Sequence, residues 1–136
     1  MQFLASATSS QEDQDAQLSI VLSNIRGLSL LSDRGKVANL RDLCVEQKAV
    51  GIALTETWLC EGVEDAEIHM EGFNVFRGDR LGREKGGVAL YLREDLAAVQ
   101  ICDYNNRAVN AIVVKCRPLD SLIVVVYRPP DTEEEE

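Results

Sequence analysis

Short apolar runs bounded by polar turns recur along the chain. Val50-Gly51-Ile52-Ala53-Leu54 is too short for a typical helix and rich in small and β-branched residues. It predicts a central strand of the parallel type. Leu18-Ser19-Ile20-Val21-Leu22-Ser23-Asn24, Phe73-Asn74-Val75-Phe76 and Val88-Ala89-Leu90-Tyr91-Leu92 after Gly86-Gly87 predict further strands, as do Ala97 to Cys102, Val109 to Lys115 and Ser121 to Tyr127. One segment has helical period. Ser32 or Asp33 is placed to cap it, and Val37, Leu40, Cys44 and Leu43 form an apolar stripe that runs to about Lys48. Between residues 61 and 71 the acids and Gly62 predict an irregular or briefly helical stretch that is not deeply buried. No internal repeat is present.

This pattern leaves one helix to cover many strands. Residues 111–114 and 122–126 are apolar on both faces, so each strand needs cover from both sides. A single helix cannot supply it, and a bare apolar sheet face would exceed what a monomer usually exposes. A second sheet, self-association through that face, or a chain that is part of a larger fold each resolves the conflict.

Length and charge narrow the reading. With 136 residues and 46% hydrophobic residues the chain fits one domain with its own core, and it has no apolar segment long enough to span a membrane. The net charge of −9 is unfavourable for binding a polyanion, but it is unevenly spread. Glu12, Asp13 and Asp15 lie before residue 18, and Asp131 and four glutamates lie after residue 130. Between these ends 15 acids face 14 bases. Residues 1–17 and 131–136 are therefore expected to be disordered acidic tails flanking a domain at 18–130. Within that domain Arg77, Arg80, Arg83, Lys85 and Arg93 outnumber Asp79 and Glu84, so residues 77–93 form a basic loop suited to phosphates. The four cysteines lack the close pairs of a zinc site, which predicts reduced thiols. The first ten residues carry no base and no long apolar stretch, unlike a secretory signal, and the expected location is intracellular, nuclear or cytoplasmic.

Candidate chemistry sits at strand ends. Glu56 opens Thr55-Glu56-Thr57-Trp58-Leu59 just after an apolar strand, Asn24 ends another, and Tyr127 ends a third before Arg128-Pro129-Pro130 stops the pairing. Ligands of open α/β sheets collect at such carboxyl ends. Each residue alone also fits an ordinary polar strand end.

In combination and in order, Asn24 with Arg26-Gly27-Leu28, Leu54 to Leu59, Gly72-Phe73 with Phe76-Arg77 and Asp79-Arg80, Gly86 to Tyr91, and Val126 to Pro130 resemble the first half of the endonuclease/exonuclease/phosphatase superfamily. The likeness is greatest to the apurinic-like endonuclease domain of non-LTR (LINE-type) retrotransposon proteins. It spans about residues 18–130. The resemblance implies an incomplete four-layered α/β/β/α sandwich, the first half of a deoxyribonuclease I-like fold, with a mixed sheet and one main helix. It also implies cleavage of DNA phosphodiesters with Mg2+ or Mn2+. Glu56 is then the metal ligand, Asn24 a polar neighbour, and Tyr127 a hydrogen-bond donor, with Arg77, Arg80 and Arg128 as phosphate contacts. One or two carboxylates plus substrate phosphate suffice for magnesium. The family's Gly-Asp-Phe-Asn, later aspartate and Ser-Asp-His segments have no counterpart, and His69 matches no motif position. The chain alone is therefore expected to be inactive. The alternatives are a non-catalytic module that pairs with a copy of itself or a complementing chain through an uncovered sheet face, and a phosphatase-like protein acting on a small phosphorylated substrate.

Overall fold

The computed structural model describes residues 2–9, 19–28, 35–80, 85–118 and 120–129. In chain order its elements are β1 (Gln2–Ser9), β2 (Ile20–Asn24), α1 (Gly35–Glu46), β3 (Gly51–Thr55), β4 (Phe73–Gly78), β5 (Val88–Arg93), β6 (Ala98–Asn105), β7 (Asn110–Cys116) and β8 (Ser121–Arg128), with short 3-10 turns at Asp65–Ile68 and Glu94–Leu96.

The strands form two sheets, in the orders β2-β3-β5-β4 and β1-β8-β7-β6. Only β2 and β3 run parallel, as the crossover through α1 between them requires. The helix stripe is as the spacing predicts, with Val37, Leu40 and Cys44 buried. Past Glu46 the helix stops at Lys48, whose positive φ of 56° takes the left-handed position usual after a helix end. Ser32 and Asp33, the expected caps, lie outside the described residues.

Strand alternation divides the core in two. Ile52, Leu54, Ala89 and Tyr91 face α1 together with Leu28, Ile68 and Met70. Ala53, Val88, Leu90 and Leu92 point the other way and pack on Ile112, Val114, Cys116, Ile123, Val125 and Tyr127 of the second sheet. The two-sided apolar strands are β7 and β8 of the second sheet, whose inner face the first sheet covers, and the described residues form three layers, α/β/β, of the expected sandwich. Cys44 and Cys116 are buried in these two cores, and burial pushes both thiols above their ordinary pKa.

The outer face of the second sheet is also apolar. Cross-strand rows there run Val99, Lys115, Leu122, then Cys102, Val113, Val124, then Tyr104, Ala111, Val126. Val99, Tyr104 and Leu122 are exposed, and the α-helix of the described residues lies on the opposite side of the molecule.

One expectation is corrected at the amino terminus. Residues 2–9 form β1, paired antiparallel with β8 from Gln2↔Arg128 to Ser9↔Ser121. The eight residues of β1 are uncharged, and β8 offers that segment an open edge of backbone donors and acceptors. The acids Glu12, Asp13 and Asp15 and residues 131–136 lie outside the described residues.

Candidate active site

The parallel register of β2 and β3 sets Asn24 opposite Thr55, at the mouth of the loop that Glu56 opens. Beyond Thr55 the backbone turns into the left-handed region at Glu56 (φ 58°) and again at Trp58 (φ 58°). Such conformations cost non-glycine residues on the order of 1–3 kcal/mol each and persist only when the surroundings enforce them. Here two flanking segments do so. Gly27 N donates to Glu56 O at 2.8 Å and Leu28 N to Thr57 O at 2.9 Å, while Thr57 N donates to Gly87 O at 3.3 Å and Trp58 N to Gly86 O at 2.8 Å. The glycine pair is needed because a Cβ on Gly87, itself at φ +91°, would lie 2.7 Å from Thr57 Oγ1.

Held this way, Glu56 is 9% exposed. Tyr127 Oη, from the facing sheet, donates to Glu56 Oε2 at 2.7 Å. Asn24 Nδ2 approaches the same oxygen at 3.4 Å, a long contact. Oε1 takes no hydrogen bond from the described residues. The three strand-end residues thus converge, and one carboxylate oxygen is left for a ligand.

Asn110, which the sequence reading passed over, locks the two sheets at this point. It is fully buried, accepts from Gly87 N at 3.2 Å and donates to Asn105 Oδ1 at 3.0 Å. Asn105 in turn donates to the carbonyl of Asp79. Asn110 pairs with Tyr127 across the β7–β8 ladder, so the network that fixes the glycine pair also fixes the phenol. An amide opening the apolar run Ala111 to Val114 was the signal for it, since a polar group on such a strand needs a partner when it is buried.

The basic residues separate. The Arg77 guanidinium meets Asp79 Oδ1 and Oδ2 at 3.1 and 2.8 Å, Asp65 Oδ1 at 3.0 Å, and the carbonyls of Val63 and Cys60 at 2.7 and 3.0 Å. An arginine has five N–H donors, and all are engaged. Burial acts to lower its pKa, but the bonds and charges of Asp79 and Asp65 outweigh it and the net shift is upward. Arg77, expected as a phosphate contact, is therefore a brace between β4 and the loop after the site. Arg128, also expected as a phosphate contact, alternates with Tyr127 and is exposed on the outer face of its sheet, away from the phenol. Arg80 remains near the site, and with Arg26, which was not singled out, its charge acts on the Tyr127 phenol. His69 is exposed beside an open groove that Asp65, Phe73 and Glu94 also line. Lys85 Nζ sits 5.3 Å from the centre of the Trp58 ring, a contact worth about 0.5–1 kcal/mol at an exposed position.

Burial lifts the Tyr127 pKa well above the ordinary phenol value, and the bond to Glu56 and its charge raise it further, while Arg80 and Arg26 pull it down. Tyr91, whose hydroxyl donates to Ile68 O at 2.6 Å, is raised mainly by burial. Because the folded-state values lie above the unfolded ones, both phenols favour the native state fully below a pH of about 10. That contribution is lost as pH rises further, since the unfolded chain ionises first. Phenolate absorbance during an alkaline titration should show Tyr91 and Tyr127 ionising only with unfolding. All three tyrosines ionising together in a chain that stays folded would refute this environment.

Among the described residues no group of three or more His, Cys, Asp or Glu is gathered for a metal. The donor set nevertheless suits a hard cation that is also held by substrate, as magnesium often is. No helix among the described residues is long and apolar enough to cross a membrane.

By sequence, no family model and no curated protein matches the chain. By structure, it is similar to an AP endonuclease from Leishmania major, with TM-score 0.55 and 15% identity over 79% of this chain and 40% of that one. It is also similar to the human Nocturnin catalytic domain, with TM-score 0.56 and 11% identity over 96% of this chain and 55% of that one. The chain thus spans about half the length of these structures. At such identities the likeness speaks for fold: the two packed sheets and their helix carry a deoxyribonuclease I-like fold, shared with endonuclease/exonuclease/phosphatase proteins.

Proposed function

We propose that the chain supplies one wall of a divalent-metal centre for phosphodiester hydrolysis in DNA, of the type used by LINE-type retrotransposon endonucleases. The observation that carries this reading is the 2.7 Å bond from Tyr127 to Glu56, which joins the two sheets at the carboxyl ends of β3 and β8 and leaves Oε1 open. Glu56 Oε1 would hold Mg2+ or Mn2+, which when bound polarises a phosphoryl oxygen and stabilises the departing alkoxide. Tyr127, kept protonated, orients the carboxylate, and Asn24 flanks the same oxygen. Arg80 is placed to meet the substrate's phosphate. The retroelement assignment rests on the combination of Thr55 to Leu59 with Tyr127 to Pro130.

These residues bind and orient, but none of them takes the proton of attacking water. General-base catalysis alone contributes on the order of 10²-fold or more. The 136-residue chain by itself is therefore proposed to be inactive or nearly so. The test is Mn2+ titration followed by NMR, with nicking of supercoiled plasmid in parallel. Signals of Asn24, Glu56 and Tyr127 should broaden in the wild type and not in Glu56→Gln. Absence of local broadening refutes the metal site; strong nicking that Glu56→Gln abolishes keeps the site and refutes inactivity.

A second reading, a module that pairs with its own copy through a sheet face, has one observation in its favour: the apolar rows around Val99, Tyr104 and Leu122 are exposed. Light scattering of the purified chain decides it, since a monomer at high concentration removes this reading.

A further inference from the structure

We infer that Trp58, with Lys85, is a contact for an unpaired nucleobase next to the phosphate held at Glu56. This rests on the nucleic-acid reading above and adds to it a residue that distinguishes a nucleotide chain from a bare phosphate.

Trp58 is 37% exposed, whereas its neighbours Thr57 and Leu59 are buried. The exposed part of the indole forgoes the stabilisation that its burial would bring. It is turned outward by a left-handed backbone, at a cost that its cation–π contact with Lys85 does not recover. Fold stability therefore does not account for the part of the ring left open. The ring is also held in place. Trp58 N is bonded to Gly86 O, and the ring lies so close to Gly27 that a Cβ there would come within 2.7 Å of Cε3. Gly27, at φ +103°, provides the seat that any side chain would fill.

Only Thr57 separates Trp58 from Glu56, so their Cα atoms lie at most about 7 Å apart. Cations lie nearby: Lys85 sits over the ring, and the charges of Arg26 and Arg80 act on the Tyr127 phenol that bonds Glu56. A fixed aromatic face beside cations is the arrangement by which proteins hold single-stranded nucleic acid, bases stacking on rings while the backbone pairs with the charges. Lys85 occupies the ring in the free chain. A base that takes its place releases the ammonium to the neighbouring phosphate.

Trp58 is the single tryptophan, so the intrinsic fluorescence of the whole chain reports on this ring alone. The probes are a short single-stranded oligodeoxynucleotide and an abasic oligomer of the same length, each added with Mn2+ so that the Glu56 signals are read in the same samples. The normal oligomer should quench the fluorescence and bind about 10-fold more tightly than the abasic one, the scale expected of one stacked base. Trp58→Leu, which has no tryptophan and is followed by the anisotropy of dye-labelled oligomers, should remove that preference. Equal affinity for the two oligomers, or binding without quenching, overturns the inference while a local Mn2+ response leaves the nuclease reading standing. Failure of both DNA binding and the Mn2+ response overturns both.

Discussion

Gly51→Ala is expected to destabilise the protein by about 3 kcal/mol or more, at the upper end of overpacking in a close-packed core. Gly51 begins β3 and lies opposite Leu92 of β5. A Cβ there would come 2.2 Å from Tyr91 O and 2.7 Å from Leu92 Cδ2. The first obstacle is backbone inside the ladder, so relief requires β3 and β5 to separate and lose pairing along the strand whose carboxyl end carries Glu56. A glycine inside a strand commonly marks such close approach. Urea unfolding is the measurement, and with a slope of about 1–3 kcal/mol per molar the midpoint should fall by about 1–3 M. Gly62 provides the control. Nothing lies within 4 Å of a Cβ built there, so Gly62→Ala should be neutral or gain up to about 1 kcal/mol through the unfolded state. Equal midpoints for the two variants would mean that β3 and β5 do not meet as closely as described.

Arg77→Ala should cost about 2–3 kcal/mol. Removing one member of a buried ion pair costs about 3–5 kcal/mol, but the Asp65 side chain is 64% exposed and its share is screened. The larger part belongs to Asp79, whose side chain is 17% exposed and grips the guanidinium with both oxygens. The carbonyls of Val63 and Cys60 lose their donors as well. Arg77→Lys should recover little, because an ammonium cannot reproduce the planar fork. A double-mutant cycle with Asp79→Asn should give coupling above about 1 kcal/mol, and one with Asp65→Asn about 0.5 kcal/mol or less. An Arg77→Ala variant of unchanged stability but weakened DNA binding would mean that Arg77 meets phosphate and does not brace the fold.

Much of this was legible along the chain. The seven runs from β2 to β8 are strands because their alternation or two-sided apolarity is a property of neighbouring residues, and period alone assigns it. The stripe of Val37, Leu40 and Cys44 is a helix face for the same reason. The placing of Asn24, Glu56 and Tyr127 at strand ends was likewise visible, and so was the need for something to cover the apolar strands at 111–114 and 122–126. The edge strand β1 was not legible locally, since what orders Gln2–Ser9 is the open side of β8, more than a hundred residues away in sequence.

The chain's periodicity by itself determined which segments pair and which side chains turn inward, because burial repeats with the geometry of each element. Tertiary structure alone decided which polar groups meet. Glu56 and Tyr127 stand 71 residues apart and bond only because the sheets face each other. Arg77 looks like a free cation in sequence until Asp65, Asp79 and two carbonyls close on it. Arg128, one residue past the phenol, is lost to the site by the pleat. Charge and hydrogen-bonding capacity are written residue by residue, but a partner is fixed only when packing brings distant backbone to within a few ångströms, and at this site that packing divides the bracing residues from those that remain open to a ligand.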